Sequence, residues 1–302
     1  MKILVLGGEG MLGHKMVQKL RTVHPGTACT IRGRVADPFY AAIDLFAASR
    51  VLENFDAMNL HAVRNLLAAE RPEWVVNCIG IIKQRSAAEL PVPSITLNAL
   101  LPHVLADELR PWGGRLIHVS TDCVFSGRRG NYTEDDAPDA EDLYGRSKFL
   151  GEAREPNALT LRTSIIGREL RDFRSLLEWF LAQRGRTIRG FRRVIYSGVT
   201  TNHLADVVAR LVAGDTRLSG LYHVASAPLS KYELLCLARD AFRIDVGIEP
   251  DDGEVSDRSL VGARFEHDAG YRCPDWSELL RDLAADPTPY GEWRSHVASE
   301  TP

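Results

Sequence analysis

Tyr144 and Lys148 stand four positions apart in the stretch LYGRSK. On a helix, positions i and i+4 share a face, so a phenol and an ammonium project together. Such a pair handles protons. A phenol of ordinary pKa about 10 can give a proton to a carbonyl oxygen as hydride reaches the carbon, or take it in reverse. A neighbouring ammonium and a nicotinamide cation are expected to favour phenolate and lower that pKa. Just upstream, HVSTDCVFSG places Ser120 and Thr121 near the end of a strand-like run, where the Thr121 hydroxyl is suited to hold the same carbonyl oxygen. Lys148 would bind cofactor ribose and tune Tyr144. Asn98, in LNALLP, either anchors a water for a proton relay or serves its helix.

The N-terminus supplies the partner for that chemistry. KILVLGG reads as a buried strand and MLGHKMVQKLRTV follows with helical periodicity. Between them Gly7, Gly10 and Gly13 form G-x-x-G-x-x-G. A turn this sharp lets a pyrophosphate approach bare backbone, at a helix N-terminus whose N–H groups are unpaired and whose dipole is positive. Strand before and helix after give the context for a dinucleotide site. NAD-specific sites commonly carry an acid at the end of strand two for the ribose 2′-hydroxyl. Here TIRGR offers Arg32 and Arg34, with no acid before Asp37. Forked guanidinium groups match a 2′-phosphate. NADPH is therefore the expected cofactor and NADH the alternative. Asp44 and Leu45, in AIDLFA, either line the adenine pocket or occupy a surface turn.

Elements that would position these residues follow in alternation. Strand-like TACTIRG, EWVVNCIGII, GRLIHVSTDCVF and ALTLRTSIIG are separated by helical NLHAVRNLLAAE, SITLNALLPHVLADELR and LYGRSKFLGEAR, with Pro102 marking an irregularity. That order calls for an α/β fold of Rossmann type, a doubly wound parallel sheet with right-handed crossovers. After Gly167 the pattern changes, and SLLEWFLAQRGR, HLADVVARLVAG, GLYHVAS and SKYELLCLARDAF precede a less periodic tail. Residues 1–167 read as the NADP-binding domain, with 196–226 returning to it. Residues 168–195 and 227–302 read as a smaller substrate-binding lobe.

Composition narrows the classes. The 302 residues are 45% hydrophobic and 25% charged with a net charge of −3, so nucleic acid is a poor partner. Five scattered cysteines form no close ligand pair, and the histidines show no H-x-x-x-H spacing, so no metal site is expected. The cysteine usage and the absence of a signal-like N-terminus or an apolar run of about 20 residues suggest a cytoplasmic protein without a membrane span. His118 reads as a core residue and Trp276 as packing for the terminal helix.

The motifs GGEGMLG, VVNCIG, VSTDCVFSG and YGRSKFLGE together resemble the extended short-chain dehydrogenase/reductase family. Within it, STDCVFSG, then Tyr132 and Glu134, then YGRSK, look like the dTDP-4-dehydrorhamnose reductases and their relatives that act on nucleotide-linked 4-keto-6-deoxysugars. The resemblance covers Met1 to about Gly167 well and is fainter beyond. It implies that Thr121, Tyr144 and Lys148 are catalytic and that Gly7, Gly10, Met11, Leu12 and Gly13 form the cofactor loop. Cys78, Ile79 and Gly80 would lie on the nicotinamide side, with Ser120 beside them. Substrate would be a nucleotide-linked keto-sugar, and a homodimer is compatible with the fold.

Family dehydratases follow the threonine with two acids that drive water elimination. Here Asp122 is followed by Cys123, whose thiol is a poor proton donor to a leaving hydroxyl. This favours plain carbonyl reduction. A nucleotide-sugar epimerase needs only the same tyrosine and stays open, as does a non-catalytic regulatory subunit like that of methionine adenosyltransferase. Among substrate contacts, Lys83 and Gln84 either bind a sugar substituent such as an acetamido group or form a solvated loop. Arg192 and Arg193 either clamp the diphosphate or decorate a surface hairpin, and Arg258 is a candidate of the same kind.

Overall fold

The computed structural model describes residues 1–47, 50–82 and 90–298, with side chains through Arg294. Seven parallel strands form one sheet: β1 (Ile3–Leu6), β2 (Ala28–Thr30), β3 (Val51–Leu52), β4 (Trp74–Asn77), β5 (Arg115–Thr121), β6 (Ala158–Thr163) and β7 (Gly220–His223). Their order is β7-β6-β5-β4-β1-β2-β3. Chain direction across the sheet reverses between β1 and β4, the switch point at which such sheets bind ligands beyond the strands' carboxyl ends. The central strands are buried on both faces, which is why they read as unbroken apolar runs.

One face packs on α1 (Met11–Val23) and a long helix at Thr201–Ala213, joined through Met16, Leu20, Leu204, Val208 and Val212. On the other face, α2 (Leu60–Glu70) and α3 (Leu101–Leu109) bury Val63, Leu67, Leu101 and Leu105. The irregularity expected at Pro102 is a π-helical turn over Ile95–Leu100. Proline lacks the N–H that would bond Asn98 O, so the preceding turn widens. The Asn98 carbonyl is instead covered by Gly151, where a Cβ would stand 1.9 Å from it.

Chain beyond Gly167 builds a further cluster around Leu177, Phe180, Tyr196, Leu234, Trp276 and Leu280. Short strands Val194–Tyr196, Leu229–Ser230 and Ser256–Asp257 form a small mixed sheet beside it. Trp276 is 5% exposed and its indole N–H donates to Ala227 O at 2.9 Å, so it packs as read. The C-terminal segment returns to α1, where Lys15 meets Asp286 at 2.5 Å and His14 meets the Tyr290 hydroxyl at 2.8 Å. No helix among the described residues is long and apolar enough to cross a membrane.

Candidate active site

A cleft of about 600 Å³ opens at the carboxyl ends of β1, β2, β4 and β5. Its floor begins with the glycine loop. Gly7 takes φ +78°, a conformation that side chains resist, and a Cβ at Gly13 would lie 1.9 Å from the Gly7 carbonyl oxygen. Gly8 N donates to Thr30 O at 2.9 Å and Gly7 N to Thr30 Oγ1 at 3.0 Å, which ties the loop to β2. Gly10 caps α1 with no side-chain acceptor, leaving the first N–H groups facing the cleft. Gly7, Gly10, Met11 and Leu12 line the cleft, while Gly13 acts by letting loop and helix close together. These features fit a pyrophosphate.

Tyr144 and Lys148 lie on α4 (Leu143–Leu150), a short helix started by Asp142, whose side chain accepts from Gly145 N at 2.8 Å. A Cβ at Gly145 would stand 2.3 Å from the Cys123 carbonyl oxygen, so the missing side chain brings α4 onto the turn that follows β5. The Tyr144 hydroxyl thereby comes near the Thr121 hydroxyl. Burial, then the Cys123 thiol, raises the phenol above its ordinary value, and the Thr121 hydrogen bond only partly offsets this. Lys148, which the sequence pairs with a nicotinamide cation as the groups that lower the phenol, is not among the leading charges acting on Tyr144 in the chain by itself. The ammonium instead donates to Val119 O at 2.8 Å, and the groups acting on it are Glu152 and Cys78. Tyr144 is therefore held as a neutral phenol, the form a proton donor needs. Burial brings Lys148 down to about 8 and pushes the Cys78 thiol up to about 12.

Thr121, Asp122 and Cys123 line the cleft beside Tyr144. Thr121 Oγ1 donates to Asp122 Oδ1 at 3.1 Å and accepts from Cys123 N at 3.2 Å. Burial raises the Asp122 carboxyl against the pull of Arg258. Cys78, Ile79 and Gly80 line the wall across from them, and a Cβ at Gly80 would stand 3.9 Å from Lys148 Nζ. Ser120 also lines the cleft, with its hydroxyl donating to Glu152 Oε1 at 2.9 Å.

Several expected residues stand elsewhere. Asn98 is 1% exposed and its amide is committed: Oδ1 accepts from Ile81 N at 2.8 Å, and Nδ2 donates to Ile81 O and Ser147 Oγ, both at 3.2 Å. It pins the Gly80–Ile81 backbone to α4 rather than presenting a relay atom. Arg34 is exposed and pairs with Asp37. Asp44 is exposed and Leu45 packs on the core, and neither lines the cleft; Phe55, Asp56 and Ala57 do. Arg192 is exposed and pairs with Asp252, and Arg193 is exposed as well. Arg258 braces the loop after β5, with Nε donating to Phe125 O at 2.8 Å and Nη2 to Ser126 O at 3.1 Å. Tyr132 stacks on Phe125 at 4.0 Å and Glu134 accepts from His223 N at 2.9 Å, so both stitch loops together. His118 is buried against Asn77. Lys83 and Gln84 lie outside the described residues.

Other cleft residues carried no local signal. Arg32 does line the cleft, but its guanidinium bonds the buried Glu9 carboxylate of the glycine loop. Glu9 also meets Tyr40 OH, and Arg171 Nη2 at 2.5 Å. Burial alone would raise Glu9; the bonds from Tyr40 and Arg32 and the Arg171 charge outweigh it and hold the carboxyl low. From the chain beyond Gly167 come Tyr196, buried with its hydroxyl beside Ser164, and Lys231. Burial lowers the Lys231 ammonium, opposed by the nearby Asp122 and Cys123. Among the described residues no His, Cys, Asp or Glu cluster is arranged to hold a metal ion.

Residues 1–285 match the family model described as RmlD substrate binding domain. The chain belongs to that family. This RmlD-family chain is 30% identical to the "Probable dTDP-4,6-dihydroxy-2-methyloxan-3-one 4-ketoreductase" of Streptomyces antibioticus, over 100% of its own length and 95% of that protein's. It is 28% identical to "Methionine adenosyltransferase 2 subunit beta" of Danio rerio, over 80% of its own length and 74% of that protein's. The crystal structure of dTDP-4-dehydrorhamnose reductase from Bacillus anthracis in complex with NADP shares its fold, with a TM-score of 0.75 at 19% identity, covering 93% of this chain and 98% of that one.

Proposed function

We propose that this RmlD-family chain is a cytoplasmic NADPH-dependent reductase of the 4-keto group of a nucleotide-linked deoxysugar. The observation that carries the reading is the convergence of Tyr144, Thr121 and Lys148 on the cleft that also holds the glycine loop. Similarity along the whole given chain to the Streptomyces protein named as a probable 4-ketoreductase supports the reaction class, and the NADP-bound Bacillus structure supports the cofactor.

NADPH, when bound, supplies the hydride. The chain's own residues do the rest. Gly7, Gly10, Met11 and Leu12 would receive the pyrophosphate at the start of α1. Cys78, Ile79 and Gly80 would form the wall beside the nicotinamide, and Lys148 would hold ribose hydroxyls. Thr121 would turn its hydroxyl from Asp122, a long bond at 3.1 Å, to the sugar carbonyl oxygen. Tyr144 would then deliver its proton to that oxygen as negative charge develops there. Asp122 is followed by a thiol, so the second carboxylic acid that elimination needs is missing from this position. That favours reduction over dehydration.

In this reading Tyr196, Lys231, Asp122 and Cys123 surround the sugar. Lys231→Ala is expected to raise the KM for the sugar nucleotide by about tenfold while leaving the NADPH Kd within about twofold, as for loss of one charged hydrogen bond. Steady-state kinetics alongside cofactor titration check it, and an unchanged KM would remove Lys231 from the sugar site. The Lys148 ammonium also sets a pH limb. With its pKa near 8, kcat/KM for NADPH is expected to fall as pH rises through that value and the ammonium is lost. A profile flat between about pH 7 and 9 counts against that role.

A panel of nucleotide-linked 4-keto sugars, followed by loss of NADPH absorbance, tests the function itself. Turnover with one or more members is the expected result. Tightly held NAD with no net consumption would instead favour an epimerase. Stoichiometric capture of an enzyme partner without reductase activity would favour a regulatory subunit.

A further inference from the structure

The carboxyl end of β2 lacks an acid in the sequence, yet the fold delivers one to it. Glu9 leaves the glycine loop and buries its carboxylate, 7% exposed, between three elements. From the end of β2, Arg32 gives its backbone N–H at 3.2 Å and its guanidinium. From the helix at Pro38–Ala41, Tyr40 gives its hydroxyl. From the segment beyond Gly167, Arg171 gives Nη2 at 2.5 Å. Arg171 also lies over the Phe39 ring at 4.8 Å, which fixes the guanidinium from its other side. Both arginines and Glu9 line the cleft.

Two guanidinium forks around one carboxylate form a site with two possible ligands. A phosphate would compete with Glu9 for the forks and be repelled by its charge. A hydroxyl meets no such repulsion, and Glu9 accepts it in exchange for one of the four donors the carboxylate already holds. We infer that Glu9 sets the discrimination between dinucleotides bearing a 2′-phosphate and those bearing a free 2′-hydroxyl, by pairing Arg32 with Arg171 while cancelling one of their two charges. Arg171 is then the second cation of the phosphate subsite, supplied by the chain that follows the sheet's sixth strand. Neutralising Glu9 sharpens the preference for the 2′-phosphate, and removing Arg171 blunts it. The inference rests on the reading of this cleft as a dinucleotide site.

Calorimetric titration with 2′,5′-ADP and with 5′-ADP tests it without turnover, since these carry the adenosine end alone. The quantity of interest is the affinity ratio of the two nucleotides. Glu9→Gln is expected to move that ratio about tenfold towards 2′,5′-ADP, and Arg171→Gln about tenfold away from it, the size of one charge-assisted hydrogen bond. Either variant leaving the ratio within about twofold of the wild type overturns the inference, while wild-type binding keeps the dinucleotide reading intact. Should Glu9→Gln fail to fold, Arg171→Gln decides alone, because its side chain is partly solvated. Failure of the wild type to bind either nucleotide overturns both the inference and the reading beneath it.

Discussion

Tyr144→Phe is expected to lower turnover by about 10²–10⁴-fold, the usual contribution of a positioned general acid. The ring stays, so packing of α4 on the Asp122–Val124 turn survives; only the proton donor goes. Cofactor affinity is expected to stay within a few-fold, because the glycine loop, the Gly80 wall and Lys148 are untouched. The structure makes this a sharp separation. The Tyr144 hydroxyl lies against Thr121, while Lys148 Nζ is anchored to Val119 O at 2.8 Å and does not depend on the phenol. Single-turnover reduction measured beside an NADPH titration checks both halves. Retained turnover would take Tyr144 out of the chemistry, and lost cofactor binding would make its role structural.

The second large effect lies directly beneath the catalytic strand. Arg162 on β6 and Glu152 after α4 form a forked ion pair, Nε to Oε1 at 2.8 Å and Nη2 to Oε2 at 2.6 Å. Their side chains are 0% and 1% exposed. Further contacts hold the pair: Ser120 Oγ donates to Glu152 Oε1 at 2.9 Å, Arg162 Nη1 contacts His223 Nε2 at 2.9 Å, and the guanidinium lies 4.9 Å from the Phe125 ring centre. Glu152→Ala would strand a buried guanidinium. It is expected to cost about 3–5 kcal/mol and to lower Tm by on the order of 10 °C. Desolvation of such a pair consumes most of its attraction, so Glu152→Leu combined with Arg162→Met is expected to be more stable than either single change. Thermal and denaturant unfolding of the three variants check this. A cost below about 1 kcal/mol for Glu152→Ala would mean that the pair is solvated. Glu152 is also the charge that supports the Lys148 ammonium, so its loss is expected to weaken catalysis as well as the fold.

What was legible in the sequence is what depends on neighbours along the chain. The glycine loop needs a strand before it and a helix after it, and both are local periodicities. Tyr144 and Lys148 need only one helical turn between them. Thr121 needs only the end of a strand-like run, the family resemblance adds Cys78–Gly80, and all of these line the cleft that the glycine loop enters. Pro102 announced its widened turn by chemistry alone.

Residues at the cleft's other wall escaped because their partners are distant in sequence. Glu9 meets Arg32 and Arg171 across 23 and 162 positions. No window of the chain contains that triangle, so Arg32 read as a free cation awaiting phosphate. Arg192 and Arg258 qualify as diphosphate ligands on charge type alone, with a surface hairpin the alternative for Arg192; Arg192 faces solvent with Asp252 and Arg258 holds loop carbonyls. Lys231 sits at the start of an amphipathic helix, where a lysine reads as a solvated residue; only the tertiary fold, which leaves it near Asp122 and Cys123, brings it into the cleft. Asn98 shows the converse. Its type suits a relay, but the widened turn spends its amide on Ile81 and Ser147.

Hydride transfer to a sugar carbonyl, completed by the Tyr144 proton, is the claim on which the functional account stands. NADPH with both hydrogens at nicotinamide C4 replaced by deuterium, mixed with a nucleotide-linked 4-keto sugar that the enzyme accepts, tests it by NMR of the product. Deuterium at sugar C4 is the predicted outcome, appearing in step with cofactor oxidation and about 10²–10⁴-fold more slowly in Tyr144→Phe. A product free of deuterium, or a sugar isomerised with no net cofactor oxidised, would contradict the account.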